Sequence, residues 1–195
     1  VDLNIKSFDT LKVTNMYAMF YDCMSLTNLD LSNFNTTNVT VMQDMFMNST
    51  SLQYLNLSNF NTSKVQTMKN MFNNCISLKE LDIKHFDTRN VTNMQTMFIN
   101  LSQIKTLDLS SFITTKVENM YGLFRGCSSL EILDLSNFDV SLIDTTAAMF
   151  MGCSNLKELY ITNFNTINVK NMHSMFEGCA SLTKLDVSNL KTSKV

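Results

Sequence analysis

Proline and tryptophan are absent from these 195 residues, glycine occurs four times, and Arg89 and Arg125 are the only arginines. So few glycines leave no Gly-rich loop to cradle a phosphate. No run of about 18 apolar residues occurs, so no membrane-spanning helix is expected. No charged segment followed by an apolar stretch opens the sequence, so no export signal is expected within it. Lysine and arginine are scattered and the net charge is −2, which excludes a basic stripe of the kind that tracks nucleic acid. The two histidines, His85 and His173, lie 88 residues apart, and no base is paired with a nucleophile by motif. An enzyme is not expected, and neither is a cofactor.

What is present is a period. The segment LDLSNFNTTNV at 29–39 returns as LNLSNFNTSKV at 55–65, LDIKHFDTRNV at 81–91 and LDLSNFDVSLI at 133–143. A step of 26 from Leu26 reaches Leu52, Leu78, Ile104, Leu130, Leu156 and Leu182 without an insertion. All fourteen phenylalanines fall in two columns, one through Phe8 and Phe34 to Phe164, the other from Phe20 to Phe176. Fixed self-similarity at this period marks a repeat architecture.

A unit reads L-x-x-L-x-L-x-x-F-x-T-x-x-V-x-x-M-x-x-M-F-x-x-C. Its first part alternates apolar and polar residues, the mark of a strand with one buried face. Its second part, such as Val65, Met68, Met71, Phe72 and Cys75, fits a stripe on one face of a short helix. Thr62, three residues before Val65, is placed to cap that helix. A strand and a two-turn helix are each marginal alone, so every unit must bury its apolar side against copies of itself. The expected fold is α/β: a solenoid of about 7.5 units, with a parallel sheet on one side and short helices on the other. Residues 1–195 form one domain on this reading. The partial units at both ends, without polar caps, suggest a segment of a longer chain.

The unit, quoted at its clearest as NVTNMYAMFYDCMSL and VKNMHSMFEGCASLTKLDVSNL, resembles the BspA-type leucine-rich repeat. That family is typical of bacterial surface proteins, including mycoplasma lipoproteins, and occurs in some parasitic protists. The resemblance implies a non-catalytic ligand-binding or adhesion module displayed outside the cell. Its partner would be a protein or glycan on a host or neighbouring cell, with no nucleic acid bound and no direct membrane insertion. A passive stalk or spacer is the alternative. Ordinary leucine-rich repeats carry an asparagine ladder three residues after the last leucine; here that position holds Phe, which puts the usual bonding of that turn in question.

Candidate contact residues lie on the outward strand positions. Asp82, Asp108 and Asp134 are successive members of one column, readable as a carboxylate row for Ca²⁺ or a cationic ligand, or as a solvated polar row. Tyr54, Ile132 and Tyr160 are exposed anchors of the type that carry binding energy. The Thr column (Thr10 to Thr192) reads as helix caps or as a hydroxyl array facing ice or glycan. The cysteines at 23, 75, 127, 153 and 179 share one column. Helix packing would hold units roughly 10 Å apart, too far for a disulfide, so they read as inert core thiols. Cys127, Cys153 and Cys179, in consecutive units, are the exceptions to watch. The methionine columns read as core rather than as a soft-metal site.

Overall fold

The alternation around each Leu-x-Leu turns one leucine inward between two outward residues. In the computed structural model, which describes residues 3–195, that pattern makes three-residue strands. Strand β1 (Asn28–Asp30) pairs in parallel with β2 (Tyr54–Asn56). A second parallel ladder joins β3 (Ile132–Asp134), β4 (Glu158–Tyr160) and β5 (Lys184–Leu185). Leu29 faces Leu55 and Leu133 faces Leu159, so the strand register equals the 26-residue repeat. The chain is a solenoid of stacked 26-residue coils, and its columns of Leu, Phe and Met make one continuous core.

The expected helices are not there: among the described residues every regular element is a strand. In their place each coil runs through consecutive β-turns, as in Met45 N–H to Met42 O, Met47 to Asp44 and Ser49 to Phe46. Two residues per coil adopt the left-handed region, at φ 53° to 77°. One column is Ala18, Asp44, Asn70, Thr96, Gly122, Ala148 and Ser174; the other is Asp22, Asn48, Asn74, Asn100, Gly126, Gly152 and Gly178. All four glycines fall in these columns. A right-handed helix has no room for positive φ, whereas a turn with a left-handed third residue requires it. Each three-bond turn also returns an inward side chain every third residue, so the Val–Met–Met–Phe spacing fits turns as well as it fits a helix.

Backbone donors freed from helical bonding point along the solenoid. Phe46 N–H donates to Met71 O at 3.0 Å, Asn48 to Asn73 at 2.8 Å, and the same four donor positions recur in most coils. The turn side is therefore a ladder in its own right, carrying bridges such as Val41–Thr67 and Thr67–Asn93. Coils joined by direct backbone bonds stack at close to the strand spacing of about 4.8 Å. The seven rings from Phe20 to Phe176 accordingly stack at 5.5–6.0 Å with interplanar angles of 2–12°. Each such pair contributes on the order of 1 kcal/mol beyond its buried area.

With no helix to cap, the threonines do something else. Thr36 Oγ1 donates to Asn61 O at 3.0 Å and accepts from Asn61 N–H at 2.7 Å, so one hydroxyl ties two coils twice. Thr10, Thr62, Thr88, Thr114 and Thr166 repeat this rung. These five and Thr36 are buried, which removes the reading of an outward hydroxyl array. The asparagine ladder is present too, one residue earlier than in ordinary leucine-rich repeats. Asn33, Asn137 and Asn189 donate their amides to carbonyls of the preceding coil, Asn189 to Ile161 O at 2.9 Å and Thr162 O at 2.7 Å. In the same column His85 Nε2 bonds Leu57 O at 3.1 Å.

Candidate functional site

The strand ladder is interrupted in its middle. Among the described residues no backbone hydrogen bond joins 79–83 to either 53–57 or 105–109. Leu55, Leu81 and Leu107, which flank these two junctions, are 8–9% exposed, against 1–2% for Leu29, Leu133 and Leu159 away from them. The turn ladder behind runs unbroken through these coils, with Met68 bonded to Asn93 and Met94 to Asn119. The strand face has thus opened while the opposite side holds. One of these two junctions sets Asp82 beside Asp108, and the next, which sets Asp108 beside Asp134, keeps Glu131 N–H to Lys105 O at 3.1 Å but no strand pairing. The paired junctions set Asp30 beside Asn56 and Asp134 beside Tyr160. Like charges at strand spacing cost less than about 1 kcal/mol in water, which matters for a strand only three residues long.

Two clefts follow the opening. One of ≈380 Å³ lies between Tyr54–Ser58 and 79–82, floored by Leu55 and Leu57 and edged by Tyr54, Lys79, Glu80 and Asp82. The other, ≈270 Å³, lies between Asp108 and Ser110 on one coil and Asp134, Ser136 and Asn137 on the next. The candidate residues thereby divide. Tyr54, 53% exposed, and Asp82 flank the first cleft, and Asp108 and Asp134 flank the second. Ile132, 49% exposed, stands on β3.

Tyr160 is held rather than free. Its hydroxyl donates to Glu158, Lys184 Nζ donates to that hydroxyl at 2.6 Å and to Glu158 Oε2 at 3.1 Å, and the ammonium lies 4.7 Å from the ring centre. The hydroxyl and the lysine together hold the Glu158 carboxyl below its ordinary range, and the same contacts raise the Lys184 ammonium.

The aspartates have local work. Asp108 Oδ1 accepts Ser110 N–H at 3.0 Å, Asp134 accepts Ser136 at 2.9 Å, and Asp82 accepts Lys84 at 3.4 Å. Each carboxylate closes a turn that ends its strand segment. The hydroxyl and N–H of Ser110, with the Lys84 charge further off, keep the Asp108 carboxyl below the usual range. Among the described residues no three His, Cys, Asp or Glu side chains gather as a metal site.

All five thiols are free. Cys75, Cys127, Cys153 and Cys179 donate to the carbonyls of Phe46, Phe98, Phe124 and Phe150 at 3.1–3.2 Å, and Ser49 takes the same role toward Phe20 at 2.8 Å. Burial pushes Cys75 and Cys127 up to about 12. Cys153 is also raised, by burial first and then by the thiols of Cys127 and Cys179 on either side. The expected separation of roughly 10 Å is overturned, since it assumed packed helices and these coils stack on backbone hydrogen bonds. The thiols are neighbours held as neutral donors.

Among solved structures, the chain is similar to the TLR13–ssRNA13 complex (17% identity, TM-score 0.45, covering 90% of this chain and 23% of that one). It is also similar to a leucine-rich repeat protein from T. pallidum (17% identity, TM-score 0.41, 90% and 74%). A third is a leucine-rich repeat protein from Bacteroides ovatus (17% identity, TM-score 0.32, 88% and 63%). The chain therefore spans about a quarter of the first of these and under two thirds of the last. No curated protein matches the sequence. The family described as "Mycoplasma protein of unknown function, DUF285" matches at residues 1–55, 51–132 and 122–195. Those three matches together cover the chain from end to end, and it belongs to that family.

Proposed function

We propose that this chain is a non-catalytic ligand-binding or adhesion module, displayed at a cell surface, that holds a protein or glycan of a host or neighbouring cell against its strand face. The observation that carries this reading is the opened strand ladder. An apolar-floored cleft beside an exposed tyrosine, on a scaffold locked from behind, offers a ligand both buried area and unpaired peptide groups. Apolar anchors in a preformed concavity are what dominate binding energy elsewhere. Surface display rests on the family resemblance. The carboxylates at Asp82, Asp108 and Asp134 give the face an acidic line that favours partners carrying lysine, arginine or an amine.

The test is binding of the whole chain to arrays of carboxylate-free glycans and matrix proteins, with and without the combined changes Tyr54→Ala, Ile132→Ala and Tyr160→Ala. The expected result is loss of the wild-type signals by at least tenfold with an unchanged melting curve. Signals that survive the triple change, or an array with no signal at all, favour the passive stalk instead.

A further inference from the structure

Lysines that look scattered in the sequence line up once the coils stack. One column on the flank of the solenoid, between the strand and turn sides, reads over its first five coils Lys12, Asn38, Lys64, Asn90, Lys116. The cations stand on alternate coils, roughly 10 Å apart at twice the ladder spacing. Each of the last two is pointed by its neighbour: Lys64 Nζ donates to Asn38 Oδ1 and Lys116 Nζ to Asn90 Oδ1, both at 2.8 Å. The asparagines are fixed in turn, Asn38 to Leu11 O at 3.0 Å and Asn90 to Ser63 O at 2.9 Å. An amide oxygen orients an ammonium without cancelling its charge. Neither lysine enters any of the four ion pairs among the described residues.

Between them lies a hollow of ≈480 Å³ lined by Thr40, Lys64, Gln66, Asn90, Thr92 and Lys116. The lining holds two cations, amides and hydroxyls, and no carboxylate. Asp87, three residues before Asn90, is taken by Arg89 at 2.9 Å, and Glu118 follows Thr92 in its column one coil further on. The hollow is shallow and open and runs along the column, which suits a hydroxyl-rich chain better than a compact anion. It also has no aromatic ring, and Arg89 is already occupied, so it lacks the stacking platforms that single-stranded nucleic acid uses.

We propose that this flank is a second binding site, distinct from the strand face, for a linear polysaccharide bearing a carboxylate on alternate sugars. A pyranose advances such a chain by about one coil, so anionic and neutral sugars fall on lysine and asparagine in turn. The carboxylates meet Lys64 and Lys116, and the intervening hydroxyls meet Asn90 and the Thr40–Gln66–Thr92 row. Each contact is exposed and weak, so affinity builds with length and falls with salt.

The experiment is titration of the whole chain with hyaluronan oligosaccharides, which carry one carboxylate on every second sugar, at low and physiological salt. The expected result is binding that strengthens with oligosaccharide length and falls at least tenfold in Lys64→Gln/Lys116→Gln. A variant of unchanged net charge, Asn90→Lys with Lys116→Asn, moves the cations to adjacent coils. It is expected to lose hyaluronan binding as well, which a mere count of charge does not predict. The Tyr54→Ala, Ile132→Ala, Tyr160→Ala protein is expected to bind hyaluronan as wild type, so the two sites fail separately. No binding, equal binding by either lysine variant, or tighter lysine-dependent binding of polyuridylate overturns the proposal.

Discussion

The first four coils and the last three solve one backbone problem differently. Every coil needs a left-handed residue just before its Cys position. In the first four that residue carries a side chain and the side chains bond one another: Asn48 to Asp22 at 2.8 Å, Asn74 to Asn48 at 2.8 Å, Asn100 to Asn74 at 2.7 Å. In the last three it is Gly126, Gly152 and Gly178, with no side chain to bond. The first solution accepts left-handed strain in exchange for an amide ladder, and the second avoids the strain and forgoes the ladder. The seam is Gly126, where a Cβ would lie 2.0 Å from Asn100 Oδ1; at Gly152 the nearest atom is 3.6 Å away.

The largest effect is expected at that seam. Gly126→Ala must hold a Cβ at φ 75° and displace the Asn100 amide from its bond to Asn74. Left-handed strain of roughly 1–2 kcal/mol and a lost hydrogen bond of about 1 kcal/mol give a loss of about 2–3 kcal/mol. Gly152→Ala meets only ordinary contact and should lose the strain alone. Urea midpoints of the two variants measure the difference, and equal losses would show that the ladder does not reach the seam.

Within the amide half, Asn74 both donates and accepts. Asn74→Gly removes two hydrogen bonds but relieves φ 61°, for a net loss of about 1 kcal/mol. Asn74→Ala removes the same bonds and keeps the strain, for about 2–3 kcal/mol. If Gly equals or exceeds Ala in cost, the strain term is wrong.

The thiols give the comparison a pH dependence. Cys75 is the one fully buried thiol in the first four coils, whereas Cys127 and Cys153 are adjacent in the last three. An unfolded thiol ionises near 8.5, and Cys75 and Cys127 are held at about 12. A raised folded value means that stability is fully present below about pH 8.5 and is lost as pH rises toward 12. Each buried thiol steepens that loss by up to about 1.4 kcal/mol per pH unit. Urea midpoints between pH 8 and 10 should fall, and Cys127→Ser with Cys153→Ser should flatten the fall more than Cys75→Ser does.

The repeat, the strands, the core columns and the parallel register were all legible, because identical residues at identical spacing admit only stacking. The turn side was misread for a physical reason: the inward spacing of Val65, Met68, Met71 and Phe72 is shared by a helix and by a run of β-turns. The deciding signal was on the outward residues. A column of Asp22, Asn48, Asn74, Asn100, Gly126, Gly152 and Gly178 contains only residues that tolerate positive φ. Read down the repeat rather than along the chain, it excludes a helix. The asparagine ladder was missed by one residue, masked by His85 and Ser111 in its column. The opened strand face was not legible, since it depends on marginal three-residue pairing around the aspartate row.

The smallest expected effects lie where the repeat itself decays, in the coil through 140–147. Val140 stands in the Thr column and offers no hydroxyl to Asn165, and Thr146 stands in the Met column with its Oγ1 buried and unpartnered. The turn ladder lacks its bridge here as well, since Asn93 pairs with Asn119 and Thr145 with Asn171 but nothing joins 119 to 145. Exchanging each residue for its column's chemistry should therefore repair the coil. Thr146→Val keeps the shape and removes an orphaned hydroxyl, for a gain of about 1 kcal/mol. Val140→Thr adds a rung to Asn165 worth about 0.5–1 kcal/mol, offset in part by lost apolar burial. Because stacked coils stabilise their neighbours, either gain should raise hydrogen-exchange protection on both flanking coils as well as at the altered one. A change confined to residues 140–147 would mean that this coil already uncouples the two halves of the solenoid.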